Sequence, residues 1–193
     1  LPVLLLASVH SIVLAEPELD LAAWYPTVSA APRDDDAFPT FARLCRAREA
    51  EIRSLISTRA TQTNEVGRCS LFLPALDLLA AEVGTIGLAD IGTSAGLNLQ
   101  LDRYHYVYEP GGPVGDPSPV TLHCGVRDGV PIPLAIPLIG QRIGVDRSPI
   151  DLTDPDSVRW LMACVWPDQH DRFERLAAAI TVAVEPKRQV GAM

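Results

Sequence analysis

The chain has 193 residues, of which 48% are apolar and 21% charged, and it carries a formal net charge of −8. That is the composition of an ordinary soluble protein with enough residues to bury a sizeable core. The acidic balance, with no run of basic residues, excludes a nucleic-acid backbone as the main partner, because that contact needs clustered Lys and Arg.

The opening run LPVLLLASVHSIVLA is too short for a membrane span of about 20 residues, and it lacks the basic segment of a signal peptide. No membrane partner is expected. Residues 3–15 read as a buried helix, closed by Pro17. LAAWYPTVSAAPRDDDAFP has no apolar period and reads as a loop. Its run Asp34, Asp35, Asp36 is expected to be solvated and to precede a helix, where negative charge suits the N-terminal dipole. From Phe38 to Ser57 the apolar residues Phe41, Leu44, Cys45, Ile52, Leu55 and Ile56 fall three or four apart, predicting one amphipathic helix.

TQTNEVGR then forms a polar connection in which Thr63 or Asn64 caps the next helix and Glu65 sits in its first turn. Capping leaves Gln62 and Arg68 unexplained, so Asn64, Glu65 and Arg68 are also candidates to line a pocket over residues 92–96. CSLFLPALDLLAAEVG predicts a second, more buried helix ending near Gly84, kinked by Pro74 or starting close to it.

IGLADIG suits a buried strand and SAGLNLQLDRY a helix. Residues 105–140, rich in proline and glycine, read as an insertion with a hairpin or irregular strands. Around its start Tyr104, Tyr106 and Tyr108 alternate as packing residues of a strand. QRIGVDRSPIDL predicts a second buried strand ending at Asp146, with Asp151 and Asp154 in turns and caps rather than in a metal site. Two helices follow, the first capped by Thr153 or Asp154 ahead of Pro155. Trp160 and Trp166 are expected to pack that region, and EPKRQVGAM reads as the beginning of another strand.

This order predicts an α/β fold with a parallel sheet. Residues 1–84 form an N-terminal helical subdomain and 85–193 the first part of the α/β domain, incomplete at its C-terminus. Cys45, Cys69, Cys124 and Cys164 have no close spacing, so we expect four free, mostly buried thiols, no metal site and a reducing cytoplasm.

Residues 89–104, ADIGTSAGLNLQLDRY, support two readings. Gly92, Ser94 and Gly96 form G-x-S-x-G, the signature of a serine-hydrolase nucleophile elbow. However, no oxyanion-hole segment precedes it, and His10, His105, His123 and His170 are poorly placed to complete a triad. Alternatively, Asp90 ends a strand, Gly92 and Gly96 flank a turn, and a helix begins, as in a loop that approaches a cofactor. Ser94 stands where the second glycine of G-x-G-x-x-G belongs, which argues against a pyrophosphate-binding site. Asp146 then ends the next strand, where nucleoside-binding folds carry an acid for ribose hydroxyls. The insertion stretches the usual gap of about 20 residues. Asn98, one turn past the loop, could reach the cofactor, and Asp102 with Arg103 is expected to make a surface or interdomain ion pair.

The acid-x-G-x-S-x-G loop and the second acid resemble class I S-adenosylmethionine-dependent methyltransferases. More narrowly, TQTNEVGR, GTSAGLNLQLDRY, GVDRSPIDLTDPDSVRWL and VWPDQH together resemble an uncharacterised bacterial domain-of-unknown-function family related to those enzymes. The resemblance runs through most of the chain. It implies a Rossmann-like sheet and S-adenosylmethionine as cofactor. Asp90, Gly92, Ser94 and Gly96 would lie at the methionine moiety and Asp146 at the ribose, with a small-molecule acceptor. A non-catalytic nucleoside-binding or interaction module of the same fold is the alternative. Neither the oligomeric state nor a catalytic residue is legible.

Overall fold

In the computed structural model, which describes residues 2–185, the first apolar run is helix α1 (Pro2–Ala15). Residues Ala7 to Val13 are all buried, so this helix is enclosed on every side and needs no amphipathic stripe. The chain forms two compact units, one of Leu1–Thr63 with Ile150–Glu174 and one of Asn64–Pro149 with Arg175–Met193. The division therefore falls at Thr63 rather than after residue 84, and Ile150–Glu174 returns to the N-terminal helices.

The first unit holds α1, α2 (Phe38–Ala47), α3 (Glu49–Thr58) and α5 (Pro155–Ala163). Val9, Ile12, Val13, Leu21, Ala22, Tyr25 and Ile52 make its core, with Phe41, Leu44 and Leu55 packed against them. The single helix expected over 38–57 is broken at Arg48, whose φ is −112°. No large apolar residue between Cys45 and Ile52 holds that stretch to the core. Arg48 instead pairs with Glu16 and with Glu51, the latter at 2.8 Å. The acidic run behaves as local scaffolding: Asp35 pairs with Arg33 at 2.5 Å, and Asp36 accepts the Phe38 amide. Asp154 caps α5 by accepting the amides of Asp156 and Ser157. The Trp160 indole donates to the Ala60 carbonyl at 2.8 Å, and Trp166 stays 42% exposed.

In the second unit, α4 (Cys69–Val83) carries Pro74 within it and ends at Gly84 in a left-handed conformation. The strand β1 (Ile86–Ile91) follows. The expected helix after it is a short 3-10 helix, Leu97–Arg103. The proline- and glycine-rich segment folds into β2 (His105–Glu109), β3 (Gly112–Val114) and β4 (Thr121–Gly125). They form a sheet ordered β3-β2-β4, with β3 antiparallel and β4 parallel to β2. Tyr104, Tyr106 and Tyr108 are buried, and their hydroxyls donate to the carbonyls of Leu97, Leu101 and Ser70. The run ending before Asp146 is β5 (Ile139–Val145), parallel to β1, with Ile91 opposite Val145.

Among the described residues this is a mixed α/β fold with a two-stranded parallel sheet. On one face, Arg142 bonds the Leu99 carbonyl and pairs with Asp102 at 2.6 Å, tying the 3-10 helix across β5. The surface or interdomain ion pair expected of Asp102 with Arg103 is thus a largely buried one with Arg142, because two adjacent residues on a helix point apart. On the other face, Ile91, Ile143 and Val145 are 88%, 58% and 55% exposed. Helix α6 (His170–Val184) closes the order of elements. The strand expected in 186–193 lies outside the described residues. No helix among them is long and apolar enough to cross a membrane.

Candidate functional site

The site is built where β1 and β5 end together. Asp90 lies opposite Gly144, and Asp146 follows Val145 directly, so the two acids sit at the same end of adjacent parallel strands. The loop between β1 and the 3-10 helix passes through the left-handed region three times, at Gly92 (φ +78°), Ser94 (φ +53°) and Gly96 (φ +71°). A Cβ on Gly92 would meet nothing within 4 Å. Glycine is required there by backbone conformation, not by crowding. Gly144 has the opposite reason: a Cβ there would lie 2.7 Å from the Thr93 side chain. Sequence reasoning passed over Gly144 and Thr93, although a glycine in the middle of a strand is itself a sign of close approach.

Every amide of the loop already has a partner. Those of Gly92 and Thr93 donate to the Val145 carbonyl (2.7 and 3.3 Å), and that of Gly96 to Thr93 (2.8 Å). The Ser94 amide donates to Asp146 Oδ2 at 2.8 Å, and the Ala95 amide to Asn64 Oδ1 at 3.4 Å. The five loop amides from 92 to 96 are therefore engaged within the chain, and the helix that follows is a short 3-10 segment.

Asp146 also accepts the Ser148 amide through Oδ1. The amides of Ser148 and Ser94 hold its carboxyl below the usual carboxylate range. A carboxylate has room for about four hydrogen bonds, so acceptor capacity remains for a ligand. By contrast, Asp90 Oδ2 and Thr93 Oγ1 are buried with no hydrogen-bond partner among the described residues. Such orphaned oxygens call for an explanation, and an unbound ligand is one.

The structure divides the remaining candidates. Asp90 and Asn98 line a cleft of about 350 Å³ walled by Leu71, Phe72, Leu88 and Leu99. Asn98 Oδ1 accepts from the Cys69 thiol at 3.5 Å. Burial, with the Asp90 charge second, pushes that thiol up to about 12, so Cys69 is no nucleophile. Asn64 sits on the loop, donating to Ser94 Oγ at 2.7 Å. Neither Thr63 nor Asn64 caps α4, and Glu65 lies ahead of its first turn: Glu65 caps the 3-10 turn Val66–Arg68 by accepting the Gly67 amide, and it pairs with Arg175 of α6 at 3.2 Å. Arg68 is exposed and forms no hydrogen bond to the loop among the described residues.

Three of the four imidazoles make contacts elsewhere. His10 bonds Ala163, Val165 and Thr27, His105 meets the Gly115 carbonyl, and His170 pairs with Glu174. The four cysteines are free; Cys69 is buried and the other three are half-buried, fewer enclosed than expected.

A mixed α/β protein with two strand-end acids around a tight loop is the class that fold and site define. The family model described as "Uncharacterized protein conserved in bacteria (DUF2332)" matches residues 1–193. The chain belongs to this family. No curated protein and no solved structure matches it.

Proposed function

We propose that the chain binds S-adenosylmethionine where β1 and β5 end, and that these strands begin a Rossmann-like sheet of the class I methyltransferase type. The reaction would be methyl transfer to a small-molecule acceptor. The observation that carries this reading is the distribution of donors and acceptors around the loop. All five amides of 92–96 are engaged, while Asp90 Oδ2 is an orphaned acceptor and Asp146 keeps acceptor capacity. An acceptor-rich, donor-poor loop suits a cation bearing an amine and ribose hydroxyls. It does not suit a pyrophosphate, which needs free amides. Asp90 would hold the amino-acid portion, Asp146 the ribose, and Gly92 and Gly96 would let the backbone come close. Asn98 would border the cofactor from the cleft it shares with Asp90. S-adenosylmethionine would supply an electrophilic methyl group, and the chain's task would be to orient it and exclude water. The four free cysteines support a reducing, cytoplasmic setting.

A non-catalytic nucleoside-binding module is the second reading. It is favoured by the thiol of Cys69, held protonated, and by imidazoles that bond elsewhere. Ser94 as a hydrolase nucleophile gains less support, since its hydroxyl accepts from Asn64 and the next amide is taken by the same side chain. Calorimetric titration with S-adenosylhomocysteine, NAD and ADP separates these readings. Binding of the first alone is expected; preference for NAD or ADP, or labelling of Ser94 by a fluorophosphonate, would count against the proposal.

A further inference from the structure

We propose that Asn64 is a positioning and specificity residue, one that fixes the shape of loop 92–96 and turns it away from phosphate-bearing ligands. The ligand half rests on the nucleoside reading above; the positioning half does not. Asn64 comes 30 residues before Ser94, outside the strand, turn and 3-10 segment that form the loop. Its carboxamide nevertheless grips two consecutive loop residues. The Ala95 amide is a donor, so the atom facing it must be Oδ1, and the amide nitrogen is left to donate to Ser94 Oγ. Asn64 and Ser94 are 7% and 5% exposed, which shields their contact from water; that to Ala95 is partly buried.

Ser94 carries the second part of the inference. A left-handed φ of +53° is unfavourable for any residue with a Cβ. Glycine would adopt it without strain, yet glycine would leave the Asn64 amide nitrogen without its acceptor in a buried place. Asn64 is itself anchored. Val66 is 1% exposed, and the neighbouring Glu65 accepts the Gly67 amide at 3.0 Å and pairs with Arg175. Of these contacts only Glu65 to Gly67 is a cap, that of the 3-10 turn Val66–Arg68.

The consequence for ligands follows from donors. With the Ser94 amide on Asp146 and the Ala95 amide on Asn64, the loop has no adjacent pair of amides for a phosphate. Removing the carboxamide frees the Ala95 amide, a donor in the place where anion-binding loops present theirs.

The test uses the full chain, as wild type, Asn64→Ala and Asn64→Asp, with residue-resolved amide exchange and titrations of inorganic pyrophosphate and S-adenosylhomocysteine. Asn64→Ala is expected to speed exchange at Ala95 about tenfold, the value of one lost hydrogen bond, with Gly92 and the strand amides unchanged. It should also acquire millimolar pyrophosphate binding that the wild type lacks, and bind S-adenosylhomocysteine at least about fivefold more weakly. Asn64→Asp keeps the acceptor for Ala95, so it should preserve that amide's protection and still refuse pyrophosphate; it decides the matter if the alanine variant does not fold. Unchanged exchange at Ala95, a uniform rise across β1 and β5, or equal pyrophosphate binding by wild type and Asn64→Ala would overturn the proposal. If S-adenosylhomocysteine binds no form, the cofactor reading fails, while exchange and pyrophosphate still decide the role of Asn64.

Discussion

Asp146 bonds the amides of Ser94 and Ser148, and both bonds strengthen its ionised form. Because its folded pKa lies below the ordinary 3.8, the stabilisation is present above that value and is lost as pH falls through the folded one. Protection of the Ser94 amide, measured against its intrinsic exchange rate, should therefore be full at pH 6 and fall only at a pH below 3.8, and Asp146→Ala should abolish that dependence. His10 works in the same direction, over a higher pH window. Its Nδ1 lies 3.1 Å from the carbonyls of both Ala163 and Val165, so the proton is on Nδ1 and Nε2 accepts from the Thr27 hydroxyl. Burial lowers its pKa from 6.5 to about 4. The unfolded chain takes a proton that the folded one refuses, so stability is full above 6.5 and declines toward about 4, by on the order of 3 kcal/mol. Urea unfolding across this window should show the decline, and His10→Leu should flatten it while lowering stability at pH 7. Asp146 was legible as a strand-end acid. The partners of His10 were not, because they lie 153 and 155 residues away.

At the scale of elements, the periodicity read in the chain located α1, α4, β1, β5, α5 and α6, but not their burial: α4 buries only Cys69, Ser70 and Leu73, and β5, expected to be a buried strand, has no buried residue. It missed the break at Arg48, which depends on ion pairs, and the 3-10 form of 97–103, which depends on tertiary bonds to Tyr104, Tyr106 and Arg142. Those bonds have measurable weight. Tyr106 is 0% exposed, so Tyr106→Phe should cost about 1 kcal/mol by removing the donor to the Leu101 carbonyl. The open face of the parallel pair predicts tolerance instead. Ile91→Lys, at a position 88% exposed, should change unfolding free energy by no more than about 0.5 kcal/mol. Leu73→Ala, at a position fully buried in α4, should cost about 2–5 kcal/mol. A large penalty at Ile91 in denaturant unfolding would mean that the face is covered in solution.

Across the whole molecule, the expected sequence of a helical part followed by an α/β part gave way to two interleaved units. Ile150–Glu174 crosses back to the N-terminal helices, and no local pattern announces a return of that kind. The family motifs survive this rearrangement because TQTNEVGR, GTSAGLNLQLDRY and GVDRSPIDL supply Asn64, the loop and Asp146, which hydrogen bonds join. The central claim is that this constellation holds a nucleoside by its ribose and its cationic chain. It is tested most directly by measuring S-adenosylhomocysteine affinity for the wild type and for Asp146→Ala under identical salt and pH. The account predicts saturable binding to the wild type that weakens at least about tenfold in the variant, as expected for the loss of a hydrogen bond to a charged group. Equal affinity in the two proteins, or no binding to the wild type at millimolar ligand, would contradict it.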